Sequence, residues 1–64
     1  MMIRLKDGWR DETDEGPVNF LHTKGDWVLV RAIGARKYDL RFKGRLIAQF
    51  DNASDAKRYV DNGN

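Results

Sequence analysis

The stretch that decides the fold is residues 18–50, which read VNFLHTKGDWVLVRAIGARKYDLRFKGRLIAQF. Glycines recur every nine or ten residues within it and just before it, at Gly16, Gly25, Gly34 and Gly44. The runs between them are rich in β-branched, aromatic and aliphatic residues, which is typical of short strands joined by tight turns. The stretch therefore predicts an antiparallel β-meander of three to four strands.

Two hairpins are expected in this meander, each closed by a Lys-Gly pair. The first pairs residues 18–23 with 27–33 around Lys24-Gly25, and the second pairs 38–42 with 45–50 around Lys43-Gly44. Glycine relieves the positive φ that two-residue hairpin turns require. This register places His22 opposite Trp27, Leu40 opposite Ile47 and Arg41 opposite Leu46. A further short edge strand is expected at 3–6.

A helical pattern follows the meander at residues 52–61. Asn52 is a suitable N-cap, and Asp55 puts a favourable negative charge on the first turn. The apolar face of this helix contains Ala53, Ala56, Tyr59 and Val60, while Lys57 and Arg58 are expected to point elsewhere.

These elements predict one small α+β domain over residues 1–64. It has an N-terminal arm and acidic loop at 1–16, the meander at 17–50, and one C-terminal helix at 52–61 packed on one face of the sheet. Because side chains alternate along a strand, the first hairpin puts Leu21 and Val28 on one face and Phe20 and Trp27 on the other.

One helix covers roughly one face of a small sheet, so one apolar face is left over. Two alternatives stay open for that face. Either the N-terminal segment folds across it with Leu5 and Trp9, or it forms an exposed aromatic patch for a partner or for self-association.

The composition is that of a small globular protein, with 34% charged and 41% hydrophobic residues and a net charge of +2. Cysteine is absent, which fits a reducing cytoplasm. There is no apolar run of membrane-spanning length and no signal peptide pattern. We expect a complete, free-standing intracellular protein that needs no membrane.

The residue types of catalysis do not form a recognisable constellation. His22 is the sole histidine, and we expect it to be a structural neighbour of Trp27 rather than part of a catalytic triad. The acids at 11–15 superficially resemble a calcium loop, but the twelfth position would be His22 where a bidentate Glu is needed. We therefore expect a solvated acidic loop, no enzyme activity, no metal and no cofactor.

Positive charge is concentrated in the centre of the chain. From 31 to 45 there are six basic residues and one acid, whereas residues 1–26 carry four basic and six acidic side chains. The candidate binding residues form an expected continuous basic ridge with two aromatic anchors: Arg31, Arg36, Lys37, Arg41, Lys43 and Arg45, with Trp27 and Tyr38. Such a ridge suits phosphates or an acidic protein surface. Solvation of an outer sheet face is the alternative interpretation.

The segment 27–64 resembles a known architecture. A strand beginning at Trp27 leads to KGRLIAQFD at 43–51, then to Asp55-Ala56 and Tyr59. This resembles the sheet-plus-helix DNA-binding modules of the AP2 family and of phage integrase arm-binding domains, and small phage and prophage proteins of unknown role. The resemblance implies that a three-stranded sheet reads the major groove, with contacts from Arg31, Arg41 and Arg45.

Two classes of function follow. The first is a non-catalytic protein of phage or mobile-element type that docks on a host protein or nucleoprotein complex, such as a nucleic-acid-processing machine, and modulates or inhibits it. The alternative is a DNA- or RNA-binding module that uses the basic face of its sheet. Self-association through the same surface is a third outcome.

Overall fold

The computed structural model describes residues 3–15 and 18–62. The elements in these residues are β1 (Ile3–Arg4), β2 (Arg10–Asp11), one turn of 3-10 helix (Thr13–Glu15), β3 (Val18–Lys24), β4 (Trp27–Ala32), β5 (Tyr38–Phe42), β6 (Arg45–Phe50) and α1 (Ala53–Asp61). The strands form one antiparallel sheet in the order of the chain. The predicted α+β class is confirmed, and the sheet has more strands than the three to four expected.

The additional strands come from the N-terminal segment. β1 covers the first part of the edge strand expected at 3–6, and β2 lies where a loop was expected. β2 joins the sheet because Arg10 pairs with Thr23 and Asp11 with His22. Gly16, the first glycine of the series, lies outside the described residues.

The β5–β6 turn is Lys43-Gly44, as predicted. Both residues have positive φ, 51° and 82°, which is the requirement of a type I′ hairpin turn. Arg41 lies opposite Leu46 as expected, but Leu40 pairs with Ala48 rather than Ile47. The reason is a β-bulge at Ile47, which adds one residue to β6.

The β3–β4 turn is Gly25-Asp26, so the prediction of Lys24-Gly25 is wrong. Lys24 pairs with Trp27, and His22 therefore lies opposite Leu29 rather than opposite Trp27. Gly25 has φ +59°, which fits a turn with glycine at its first central position. Because the pairing shifts by two residues, Leu21, Val28, Phe20 and Trp27 keep their predicted faces, whereas a bulge between Val18 and Phe20 moves Val18 to the face of Leu21.

The core lies between the sheet and α1. Trp9, Leu29, Leu40 and Ala56 have no solvent exposure, and Leu5, Phe20 and Trp27 pack around them. The backbone of the β1–β2 connection turns back on itself, since the Leu5 N–H donates to the Trp9 carbonyl at 2.6 Å. This turn carries the Trp9 ring to the helix side. The expectation that Leu5 and Trp9 fold across the face opposite the helix is therefore wrong.

The helix begins as predicted. The Asn52 side chain accepts a hydrogen bond from the Asp55 N–H at 2.8 Å, which satisfies one of the free donors of the first turn. The expectation that Lys57 points away from the core is wrong, because its side chain is 14% exposed and turned onto the sheet. Positions 53, 56, 57 and 60 are spaced i, i+3, i+4, i+7, so Lys57 belongs to the buried stripe.

Candidate docking face

The face of the sheet opposite α1, called the open face here, is built from rows of paired residues. Residues directly opposite each other on neighbouring strands share a face. The first row, from β2 to β6, is Arg10, Thr23, Val28, Arg41 and Leu46. The second row, from β3 to β6, is Leu21, Val30, Asp39 and Gln49, and Val18 and Ala32 form a third pair. The rows place aliphatic side chains at the centre and polar ones around them.

The open face is aliphatic rather than aromatic. Val28 and Val30 are half-buried by their neighbours on the sheet, and Leu46 is 47% exposed. The aromatic side chains lie on the other side, where Trp27 packs on Phe42 at 4.6 Å between ring centroids. The exposed aromatic patch that one alternative predicted is therefore not found on this face, whose side chains are aliphatic and polar.

The open face carries charges of both signs, and Arg4 of β1 extends its first row beyond Arg10. Arg10 and Arg41 are matched by Glu12 and Asp39, which border the same aliphatic centre. The polar groups are held in place: Gln49 Nε2 donates to Asp39 Oδ1 at 2.8 Å, and the Thr23 hydroxyl donates to the Glu12 carboxylate. Arg41 Nη1 donates to the Gly44 carbonyl at 3.1 Å. The described polar groups of this surface are therefore pre-organised, and they include both acids and bases.

The predicted basic ridge is divided between several surfaces. Arg41 lies on the open face, whereas Arg31 lies on the helix side with its guanidinium 5.1 Å from the centre of the Tyr38 ring. Lys37, in the loop before β5, forms an ion pair with Asp51 at 2.5 Å. Arg36 lies in that same exposed loop, while Lys43 and Arg45 lie at the opposite end of β5. These side chains do not form one continuous surface.

Both predicted aromatic anchors lie on the helix side. Trp27 packs against the core beside Phe42, and Tyr38 meets the Phe20 ring edge to face at 5.1 Å. A role for either residue in binding stays a prediction.

A partly buried polar cluster joins the N-terminal segment to the helix, and the sequence reasoning missed it. Lys57 Nζ lies 2.8 Å from His22 Nδ1 and 2.8 Å from Asp7 Oδ2. His22 is 8% exposed, its ring stacks on Phe20 at 3.9 Å, and its Nε2 lies 3.5 Å from Asp11 Oδ1. The helical spacing of Lys57 was the signal in the sequence that could have revealed this contact.

The geometry of the cluster sets its protonation. An ammonium group has only donors, so His22 Nδ1 must accept from Lys57, and the ring proton lies on Nε2 towards Asp11. Burial, followed by the positive charge of Lys57, lowers the pKa of His22 below its ordinary value. Burial tends to raise the pKa of Asp7, but the hydrogen bonds from Lys57 and from the Trp9 N–H bring it below the usual range. The hydrogen bonds of the cluster therefore link α1 to the N-terminal segment.

The described residues contain neither a cluster that could hold a metal ion nor a helix that could span a membrane. In the part of the chain that the structure describes, no three His, Cys, Asp or Glu side chains converge in a way that could hold a metal ion. Over residues 3–15 and 18–62, no helix has the length and apolar character that a membrane crossing requires.

Comparison with protein-family models, with curated proteins and with solved structures found no match to this chain. The resemblance of residues 27–64 to AP2 and integrase arm-binding modules stays a prediction.

Proposed function

We propose that this is a non-catalytic binding protein that docks on another protein through the open face of its sheet and modulates it. The observation that carries the proposal is the composition of the paired rows, with Val28 and Val30 at the centre and charges of both signs at the rim. An aliphatic centre with a polar rim is the usual anatomy of a protein–protein interface.

The charge of the open face favours a protein over a nucleic acid. Nucleic-acid binding draws its affinity from many cationic contacts to phosphates, and a dedicated binder carries a strongly basic face. In a sheet-plus-helix module of the AP2 type, the face opposite the helix would enter the groove. Here the acids Glu12 and Asp39 lie among the arginines of that face, and aliphatic side chains occupy its middle.

The same rows describe the surface that a partner should present. Val28 and Val30 require a flat apolar patch. The guanidinium of Arg41 requires a carboxylate beside that patch, and Asp39 requires a donor. A folded host protein with a mixed apolar and charged surface meets these needs, and occupying that surface is the means by which binding would modulate the host protein.

The experiment compares two lysine substitutions in capture from a lysate of the source cells treated with nuclease. Val30→Lys places a charge at the centre of the open face, whereas Ser54→Lys places the same charge on the exposed side of α1. We expect Val30→Lys to abolish capture of a discrete protein partner and Ser54→Lys to leave it unchanged. Thermal unfolding of both variants checks that they fold.

A salt titration separates the alternative class. Fluorescence anisotropy with a labelled duplex of random sequence should show little binding at physiological salt. Tight binding that weakens steeply as salt rises would indicate phosphate contacts. That result, or equal capture by Val30→Lys and the parent, would contradict the proposal.

A further inference from the structure

The outer edge of β6 is a second surface, separate from the open face. β6 is the last strand in the order of the sheet, so one side of its backbone pairs with no strand among the described residues. Edge strands present N–H and C=O groups that readily pair with another extended chain. Ile47, which lies outside the rows of the open face, is a large apolar side chain of β6 that is 40% exposed.

A recess opens beside this edge at the tip of the β5–β6 hairpin. Phe42, Lys43, Arg45 and Ile47 line it, and its volume is about 320 Å³. Ile47 is the extra residue of the β-bulge, and the recess exists where the bulge bends the strand. The ring of Trp27 supports Phe42 from behind, so the apolar floor is held in place.

The charges at the recess are all positive and are positioned by the turn. Lys43 Nζ lies 5.6 Å from the centre of the Phe42 ring, and Arg45 is the other cation of the lining. The Lys43 N–H donates to the Asp26 carbonyl at 3.1 Å, which anchors the turn to the neighbouring hairpin. An apolar floor bordered by two cations matches an apolar side chain flanked by carboxylates.

We propose that the β6 edge binds an extended peptide segment of a partner, with an apolar side chain in the recess and acidic residues beside Lys43 and Arg45. The added strand would hydrogen-bond to the free side of the β6 backbone, the mode known as β-augmentation. Nucleic acid has no peptide backbone to pair with this edge. A second copy is a poorer match, because Arg45–Phe50 contains no carboxylate.

The proposal stands independently of the open face, because it uses other side chains. Its test is a selection of short random peptides against the folded protein, followed by fluorescence anisotropy with the enriched peptides. We expect enrichment of acidic and β-branched residues in alternation. N-methylation of backbone amides along one edge of the peptide should abolish binding, since it removes the strand hydrogen bonds.

Matched variants locate the site. Arg45→Glu should weaken peptide binding by at least about ten-fold, because it reverses a charge at the recess. Arg36→Glu makes the same change of charge in the exposed loop at the far end of β5 and should leave binding unchanged. Val30→Lys should also leave it unchanged, so that failure of this proposal and failure of the open-face proposal can be told apart.

Several results would overturn the proposal. These are a selection that enriches no peptide, enrichment of basic peptides, and equal affinity of the parent and Arg45→Glu. Displacement of the peptide by RNA, or a dimer in sedimentation that Arg45→Glu abolishes, would assign this edge to another occupant.

Discussion

At the scale of single residues, the pair His22 and Lys57 shows how a polar contact is maintained inside a small domain. Lys57 reaches Nδ1 of the neutral imidazole at 2.8 Å and also forms an ion pair with Asp7. Protonation of His22 would place two donors against each other, because Nδ1 would then carry a hydrogen facing the ammonium group. The contact therefore favours the neutral ring.

This geometry predicts a loss of stability on mild acidification. The pKa of His22 lies below its ordinary value of 6.5 in the folded protein, so below that value the unfolded chain binds more protons than the folded one. The free energy of unfolding should fall as pH drops from about 7.5 to about 5.5. The carboxylates Asp7 and Asp11 contribute only at lower pH, since their pKa values lie below 3.8.

Urea unfolding at the two pH values measures the effect, with His22→Gln as the control that cannot titrate. The parent should lose more stability than the variant. An NMR titration of the ring gives a second readout, because Lys57→Met removes the neighbouring cation and should raise the pKa of His22. Equal pH dependence of the parent and His22→Gln would contradict this account.

At the scale of elements, the two hairpins show what turn residues specify. Lys43-Gly44 has positive φ at both positions, and the sequence predicted this turn and the register next to it. Gly25 also has positive φ, but it occupies the first turn position instead of the second. A glycine indicates where the chain takes a left-handed conformation. It does not indicate which of the two turn types uses it.

One substitution in the β5–β6 turn is expected to stabilise the protein. Lys43 has φ +51°, a conformation that costs a lysine roughly 1–2 kcal/mol and that asparagine tolerates better. Lys43→Asn should therefore raise the free energy of unfolding by about 0.5–1 kcal/mol. Thermal unfolding measures this change. A lower melting temperature for Lys43→Asn than for the parent would show that the lysine side chain stabilises the turn by another route.

At the scale of the whole molecule, local patterns specified the meander, the helix and the faces of the strands. Long-range packing decided the rest. The path of Trp9 into the helix-side core depends on a turn at residues 5–9 and on contacts with Leu29 and Ala56 far along the chain, which no local periodicity encodes. The bulge at Ile47 is likewise absent from the regular alternation of β6, and Ile47 lines the recess beside β6 rather than the rows of the open face.

The candidate site was predictable only in part, because its local strand pattern can be read from the sequence but the arrangement of its charges cannot. Strand alternation indicated that one apolar face would be left over, and the open face is that surface. The basic residues were predicted to form one ridge because they are close together in the sequence. In the structure Arg31 and Arg41 lie on opposite faces of the sheet, so the ridge is divided. The strand register must be known before charged residues in a sequence can be assigned to one surface.

Site-specific photo-cross-linking shows directly whether the open face docks on a protein. Val30 at the centre of the face, or Ser54 on the exposed side of α1 as control, is replaced by p-benzoylphenylalanine. The protein is then irradiated in a lysate of the source cells. If the open face docks on a protein, we expect a discrete protein adduct from position 30 that survives nuclease treatment, and none from position 54. An adduct with nucleic acid, equal adducts from both positions, or none from position 30 would contradict it.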